Sequence, residues 1–362
     1  MMTPESETAL AELVRGANGP LRIVGGGTRP LGSSAGEVVS TSAISGIELY
    51  EPGALTLVAK AGTPMAEIEA ALTAENQRLP FEPMDHRGLL GSSGTPTVGG
   101  VVAANVSGPR RVQAGACRDS LIGVRFVDGS GTVIKNGGRV MKNVTGYDLV
   151  KMMAGSYGTL GILTEVAFKV LPGIEASATL TLGGLDAQAA VGAMSKALGS
   201  PFEVSGAAYD PAKKEVYLRL EGFTASVAYR AEQLTDLLGA GDLTSDKDAS
   251  DALWANIRDV APLHGAEGDL WRVSVKPSDG PNVLEAIQPI AALLDWGGGL
   301  LWLATERGTD VRAKMDAIQG HATCLRGDGA TFHPEPTPLA AISKGLRAQF
   351  DPRGILNPVL MG

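Results

Sequence analysis

The stretch LRIVGGGTRPLG, residues 21–32, constrains the fold more than any other. An apolar run that reads as a strand breaks into three glycines, followed by Thr28, Arg29 and Pro30. Adjacent glycines after a strand read as a loop whose backbone N–H groups can approach an anion, above all a phosphate, with no Cβ in the way. The dinucleotide fingerprint Gly-x-Gly-x-x-Gly would require this loop to open a helix. Gly25 and Gly27 fit it, but the sixth position is Pro30, and Leu31-Gly32-Ser33-Ser34 is no helix start. The expectation is therefore a strand–loop–strand cradle built from backbone N–H groups. A valine at Gly26 is expected to occupy the phosphate position itself.

Glycine is the compositional outlier, at 48 of 362 residues, against roughly 7% in ordinary proteins. It clusters in residues 16–173, where four backbone-presenting loops follow one another: Gly25–Thr28, Gly94–Gly100, Gly108–Gly115 and Gly155–Gly161. One such turn says little. Four in one domain suit a large dinucleotide, with a loop each for adenine, ribose, pyrophosphate and ring system. A net charge of −8 without a basic run argues against nucleic acid. Cys117 and Cys324 form no CxxC motif, so neither a disulfide network nor a zinc or iron–sulfur site is expected from this chain alone. The start MMTPESETAL is polar and acidic, unlike a targeting peptide, and no run of ~18 apolar residues could span a membrane. A soluble cytoplasmic protein is expected.

Residues 3–18 read as an amphipathic helix with Leu10, Leu13 and Val14 on one face. LRIVG, VVSTSAI and TLVAKAG read as strands, and PMAEIEAALTAEN as a helix capped by Thr63 with Pro64 in its first turn. VGGVVAANV can be a short helix only if tightly packed. DSLIGVRFVDGSGTVIKNG is a hairpin around Asp128-Gly129. GYDLVKMMAG is a helix stopped at Gly155, and GILTEVAFKVLP a strand closed by Pro172. After Pro172 glycine thins. Two rounds follow: strand, helix, strands and helix from SATLTLGG to ASVAYRAEQLTDLLG, then DLWRVSVKP, PNVLEAIQPIAALL, GGGLLWLATE and DVRAKMDAIQ. The fold class is α+β, its second domain an antiparallel sheet covered on one face by helices. Expected boundaries are 1–173 (subdomains about 1–90 and 91–173), 174–330, and a C-terminal segment 331–362 with one helix and a Pro-rich ending.

IVGGGTRP, TPTVGGVVAANVSGPRRVQAGACRDSLIGVRFVDGSG, VMKNVTGYDLVKMMAGSYGTLGILTEVAFKVLP and FDPRGILNPVLM resemble, in order, the FAD-binding segments of the vanillyl-alcohol oxidase, or PCMH-type, flavoproteins. Within that family, RRVQAGACRDSLIG, RVMKNVTGYDL, LWRVSVKP, DWGGGLLWL and GHAT are similar to the FAD-binding subunits of glycolate oxidase. The resemblance spans essentially the whole chain and implies a two-part FAD-binding domain in a complex, cytoplasmic or held by its partners at the inner face of the membrane. That complex would oxidise glycolate, a small 2-hydroxy acid, to glyoxylate and pass electrons to an iron–sulfur subunit, with a second flavin-containing subunit beside this one. Carried over, Gly25, Gly26, Gly27 and Thr28 would wrap the pyrophosphate with Arg29 near it. Thr97, Gly99, Gly100 and Asn105 would contact the phosphates and flavin. Gly115 and Asp119 would hold the loop shape, and Gly158, Gly161 and Ile162 would line the adenosine or ribityl path. Asn357 falls in the Asn-Pro ending that returns to the flavin, although Val359 replaces the usual glycine.

Some members tether FAD through a histidine at the first loop. Thr28-Arg29 stands there, so non-covalent FAD is expected, His86 being the one histidine near the second segment. Hydroxyacid-oxidising relatives carry a clustered His/His/Glu metal site. The four histidines 86, 264, 321 and 333 include no close pair, and no metal is expected. Oxidising a 2-hydroxy acid needs a cation for the carboxylate, a base for the hydroxyl proton and a hydride acceptor. Arg272 and His321 are the candidates. Arg272 stands mid-strand, where a buried charge must be paired, so a structural salt bridge and a carboxylate grip both fit; His321 could equally be a satisfied histidine beside the flavin. Trp271, Trp296 and Trp302 read as core, Lys142 and Tyr147 as structural. Three other readings stay open: an electron-relay or stabilising subunit whose partner flavin subunit oxidises the substrate, a stand-alone alcohol or sugar oxidase, and a scaffold that has lost its flavin.

Overall fold

The computed structural model describes residues 1–32, 34–138, 147–239 and 241–361. Helix α1 (Glu7–Gly16) starts where the Ser6 hydroxyl accepts the Ala9 N–H, and it buries Leu10, Ala11 and Val14. It packs over β1 (Leu21–Val24) and β2 (Glu37–Ser40), a parallel pair joined by the glycine loop. Leu31 and Gly32 are not helical, as Pro30 requires; Ser33 lies outside the described residues.

A five-stranded antiparallel sheet follows, in the order β3-β4-β8-β6-β7. Its members are β3 (Ile47–Glu51), β4 (Thr56–Lys60), β6 (Leu121–Val127), β7 (Val133–Gly137) and β8 (Ile162–Lys169). β6 and β7 form the expected hairpin, pairing Val127 with Val133 across the Asp128-Gly129 turn. Between these strands the chain makes α2 (Met65–Ala74), β5 (Gln77–Arg78), α3 (Arg87–Leu90), α4 (Val98–Ala103), α5 (Arg111–Ala114), α6 (Cys117–Ser120) and α7 (Leu149–Met153). Short β9 (Leu171–Pro172) pairs with β5. Thr63 does not cap α2. Its hydroxyl instead donates to Lys60 O at 2.7 Å and accepts from Gly46 N at 2.9 Å, because the bend into Pro64 turns the side chain back toward the preceding strand.

The second half builds an eight-stranded antiparallel sheet, β13-β10-β12-β11-β15-β16-β14-β17. In chain order the elements are β10 (Ala176–Leu182), α8 (Ala187–Leu198), β11 (Gly206–Asp210), β12 (Glu215–Gly222), α9 (Thr224–Leu238), β13 (Asp242–Thr244), α10 (Lys247–Arg258), β14 (Asp269–Val275), α11 (Gly280–Ile287), β15 (Ala291–Asp295), β16 (Leu300–Thr305), α12 (Val311–Lys314), β17 (Gly320–Arg326) and α13 (Thr337–Phe350). PNVLEAIQPIAALL is thus two elements. Gln288 turns left-handed (φ 53°), Pro289 bars helix continuation, and IAALL joins the sheet. One sheet face packs Trp271, Val273 and Leu301 beneath α8, α9 and α11. The opposite face turns Leu270, Leu300 and Trp302 toward the first half, into a single core with Phe81, Phe168 and Trp254. Among the described residues no helix is long and apolar enough to cross a membrane.

Candidate functional site

A cleft opens between the glycine loop, the N-terminus of α4 and the 157–162 turn. Gly25, Gly26, Gly27, Thr28 and Arg29 form one wall, Thr97, Gly99 and Gly100 another, and Gly158, Gly161, Ile162 and Asn357 the third. These residues come from four distant stretches of sequence, and the fold brings them together. The backbone N–H groups of Gly25, Gly26, Gly27 and Thr28 find no acceptor among the described residues. Thr97 Oγ1, on a residue only 4% exposed, is likewise without a partner. A buried hydroxyl is rarely left without a partner, and the half-exposed N–H groups of Gly25, Gly26 and Thr28, with exposed Gly27, stand open beside it, an arrangement that matches an anionic ligand with several oxygens.

The glycines serve different ends. A Cβ on Gly26 would overlap the Thr95 carbonyl oxygen, because the two loops touch there and Thr95 N donates to Gly26 O at 3.2 Å. A valine at 26 would therefore strike the neighbouring loop rather than the phosphate position. Gly27 is the open one: its φ is +73° and nothing lies within 4 Å of its Cβ position.

Arg29 donates to Gly100 O at 3.1 Å and lies 5.6 Å from the Tyr157 ring centroid, which Phe332 meets edge-on at 4.7 Å. Burial lowers its pKa, and no carboxylate among the described residues pairs with it. Asn357 lines the cleft but spends its amide on structure, accepting from Ile23 N at 2.7 Å and donating to Tyr157 O at 2.8 Å. The structure does not bring Asn105, Gly115 and Asp119 into the cleft lining. Asn105 Oδ1 accepts from Arg118 N at 3.0 Å, and Asp119 Oδ2 from Ala116 N at 2.8 Å, while Gly115 turns at φ +84°. These three shape the loop that runs into α6.

Arg272 projects from the middle of β14, across from Trp302 on β16. Its guanidinium sits 5.2 Å from the Trp296 ring and 5.8 Å from that of Trp302. No salt bridge forms among the described residues, so the pairing expected of a mid-strand charge is supplied by two indole faces instead. Burial, with Arg111 and Arg29 nearby, draws its pKa down to about 10. Trp296 is not core. Its φ is +53°, the Asp295 carboxylate accepts its N–H at 2.7 Å, and its indole donates to Gly108 O at 3.0 Å in the first half. Arg111 covers the ring at 4.4 Å. Burial and nearby Glu82 push the Asp295 carboxyl up to about 7.

His86 lines the cleft and is held neutral, first by burial and then by the charges of Arg29 and Arg272. His321 is the second residue of β17, at an exposed position opposite Ser274; desolvation, Arg272 and His333 lower its pKa. Among the described residues no three His, Cys, Asp or Glu side chains gather as a metal set would. Lys142 lies outside the described residues, and Tyr147 is exposed. Arg111, Tyr157 and Asp295 were not among the sequence candidates. Aromatic stacking and a buried carboxyl leave no local pattern to read.

Residues 1–137 match the family model described as FAD binding domain. The glycolate oxidase subunit GlcE of Escherichia coli strain K12 is 36% identical over 325 residues, covering 89% of this chain and 86% of that protein. The chain belongs to the GlcE family. The glycolate oxidase subunit GlcD of Bacillus subtilis strain 168 is 43% identical over 84 residues, 23% of this chain and 18% of its own. An alkyldihydroxyacetonephosphate synthase structure, 18% identical, superposes with a TM-score of 0.71 over 98% of this chain and 76% of its own, a likeness of fold alone. The GlcE-family chain is thus a PCMH-type flavoprotein with an appended α+β domain, an FAD-linked oxidoreductase whose cofactor is FAD. The open N–H groups at residues 25–28 and the orphaned Thr97 hydroxyl fit that cofactor's pyrophosphate.

Proposed function

We propose that this chain is the FAD-binding subunit of a multi-subunit glycolate oxidase in the cytoplasm. In this reading glycolate becomes glyoxylate and electrons pass to an iron–sulfur partner. The carrying observation is an arginine cluster beside the cleft: Arg29 lines it, and Arg111 and Arg272, which flank the Trp296 ring, lie near enough for Arg272 to feel Arg29, with none neutralised by a carboxylate among the described residues. Such a site favours anions: the pyrophosphate at the glycine loop and a small carboxylate near Arg272. When bound, FAD supplies the acceptor for the hydride from the substrate carbon. Arg272 holds the carboxylate and turns the C–H bond inward, and the neutral His321 takes the hydroxyl proton. Gly25–Thr28 and Arg29 fix the cofactor, and Trp296 keeps the second sheet against Gly108 so that both halves face one ligand.

A second reading has a specific observation behind it. Trp296 and Trp302 already cover Arg272, as suits a relay subunit whose partner flavin subunit oxidises the substrate. Glycolate-dependent dye reduction by this chain, alone and mixed with its partner subunits, separates the two when repeated with Arg272→Met. Direct oxidation requires kcat/KM to fall by roughly 10- to 100-fold at unchanged flavin content, the scale of a lost charged hydrogen bond. The relay reading requires unchanged turnover in the mixture. Dye reduction by the lone chain sinks the relay, and a chain that stays colourless after incubation with FAD sinks both.

A further inference from the structure

Helix α13 is amphipathic the wrong way round. The residues it turns toward its own protein are Ala340, Ser343, Arg347 and Phe350, all only partly covered, and it buries none fully. Its other large apolar side chains face outward at i, i+3 and i+7: Leu339 is 53% exposed, Ile342 61% and Leu346 38%. Helix α8 shows the ordinary arrangement, burying Ala190, Val191, Met194 and Ala197. A stripe at this spacing is the signature of a helix that lies in a groove of another protein.

We propose that α13 is the docking element for the electron-accepting partner subunit, which receives the stripe in an apolar groove with an acidic rim. The inference rests on the multi-subunit reading above. Charge selects the rim: the exposed side of α13 carries Lys344 and the helix has no carboxylate, in a chain of net charge −8, while Arg347 turns inward and donates to Met361 O at 3.2 Å. Area and charge together exclude a second copy. Fourteen residues make a helix about 21 Å long and about 10 Å wide, so two stripes face to face cover roughly 400 Å², against the ~1,200 Å² of a stable interface. They would also bring like charges together. Small contacts are instead usual for electron-transfer encounters. Position selects the electron acceptor. Phe332, just before the helix, packs on Tyr157 in the cofactor cleft, and Asn357, just after it, lines the same cleft. A partner seated on α13 therefore stands beside the cleft that would hold the cofactor.

The test uses the full FAD-loaded chain and the purified iron–sulfur and GlcD-type subunits from the same genome, with binding measured by sedimentation and interferometry. Ile342→Asp combined with Leu346→Asp is expected to weaken binding of the iron–sulfur subunit at least tenfold. Flavin absorbance and melting temperature should match the unaltered chain, since neither side chain is buried. Ile290→Asp, at an equally exposed site just before β15, should bind normally. Unchanged binding by the double variant overturns the proposal and leaves the complex reading intact. So does loss confined to the GlcD-type subunit, or a dimer of the lone chain that the double variant dissolves. If the unaltered chain binds neither subunit, the complex reading fails and the docking proposal with it.

Discussion

At Gly26 the space beyond Cα is already occupied by the Thr95 carbonyl, whereas at Gly27 it is empty and only the backbone angle is special. The two glycines should therefore fail differently. Gly26→Ala forces the first and second loops apart, and the purified variant should lose its flavin absorbance and melt several degrees lower. Gly27→Ala meets no atom and costs only the strain of a left-handed alanine, about 1 kcal/mol, so it should retain most of its flavin. Equal retention by both variants would show that the loops do not meet as described. Asp295 gives a pH-dependent counterpart. Its carboxyl titrates near 7 in the folded chain and near 3.9 when unfolded. The folded state thus holds the proton more tightly, and the contribution of Asp295 to stability is full below about pH 3.9, declines as pH rises and levels off above 7. Asn at this position keeps the acceptor for Trp296 N without the charge. Asp295→Asn should raise the melting temperature more at pH 8 than at pH 5, and a gain independent of pH would refute the assignment.

Strand β12 is tied to the first half by ions rather than by a sheet. Glu221, with a side chain 4% exposed, accepts from Arg110 Nη2 at 2.7 Å and from Arg78 Nη1 at 3.0 Å, and Arg219 reaches Glu82 at 2.8 Å. Burial raises both carboxyls, but Arg219 and Arg110 outweigh it and hold them below the usual range. Glu221→Gln leaves three guanidinium groups facing one neutral amide, and urea unfolding at pH 7 should register a loss of about 3–5 kcal/mol. With folded pKa values depressed, that stability is present above about pH 4.3 and is lost as pH falls further. The variant should accordingly show a shallower acid decline than the parent. None of this network is legible locally, since its members lie far apart in sequence and each looks like an ordinary surface charge. What the sequence does carry is local. Asp128-Gly129 between alternating runs specifies the hairpin, Pro30 forbids a helix after the glycine loop, and the Gly-rich VGGVVA forms α4, where Gly99 leaves only 2.7 Å between a Cβ and Ala61. Where local cues compete the sequence misleads, as at Thr63, which serves the preceding strand, and at Gln288, where one apolar run changes from helix to strand. The glycine walls of the cleft were legible for the same reason: each is a short motif. Its arginine and tryptophan wall was only partly so, because Trp296 reads as core until Gly108 is seen beneath its indole.

The expected units, residues 1–173, 174–330 and 331–362, remain our proposal for how the sequence is divided, but the packing argues that they do not melt separately. Phe81 and Phe168 of the first unit share one buried cluster with Trp254, Leu270 and Trp302 of the second, and Trp296 adds its bond to Gly108. The third unit crosses back to the start of the chain. Leu356 bridges to Leu21, Asn357 holds Ile23 and Tyr157, and Arg353 donates to Gly129 O. Contacts between domains of one chain are commonly polar and loose, and such chains unfold in steps. A shared apolar core makes exposure of one half's surface a cost to the other, which couples them. Calorimetry of the flavin-free chain should therefore show a single transition, raised in temperature by added FAD because the ligand binds only the folded form. Asn357→Ala removes two hydrogen bonds to backbone that would otherwise be buried without partners, a cost of about 1–3 kcal/mol. It should lower that one transition and weaken flavin retention together. Two resolved transitions, or a variant that loses flavin while its melting temperature holds, would mean that the C-terminal segment serves the cofactor alone and does not bind the halves into one cooperative body.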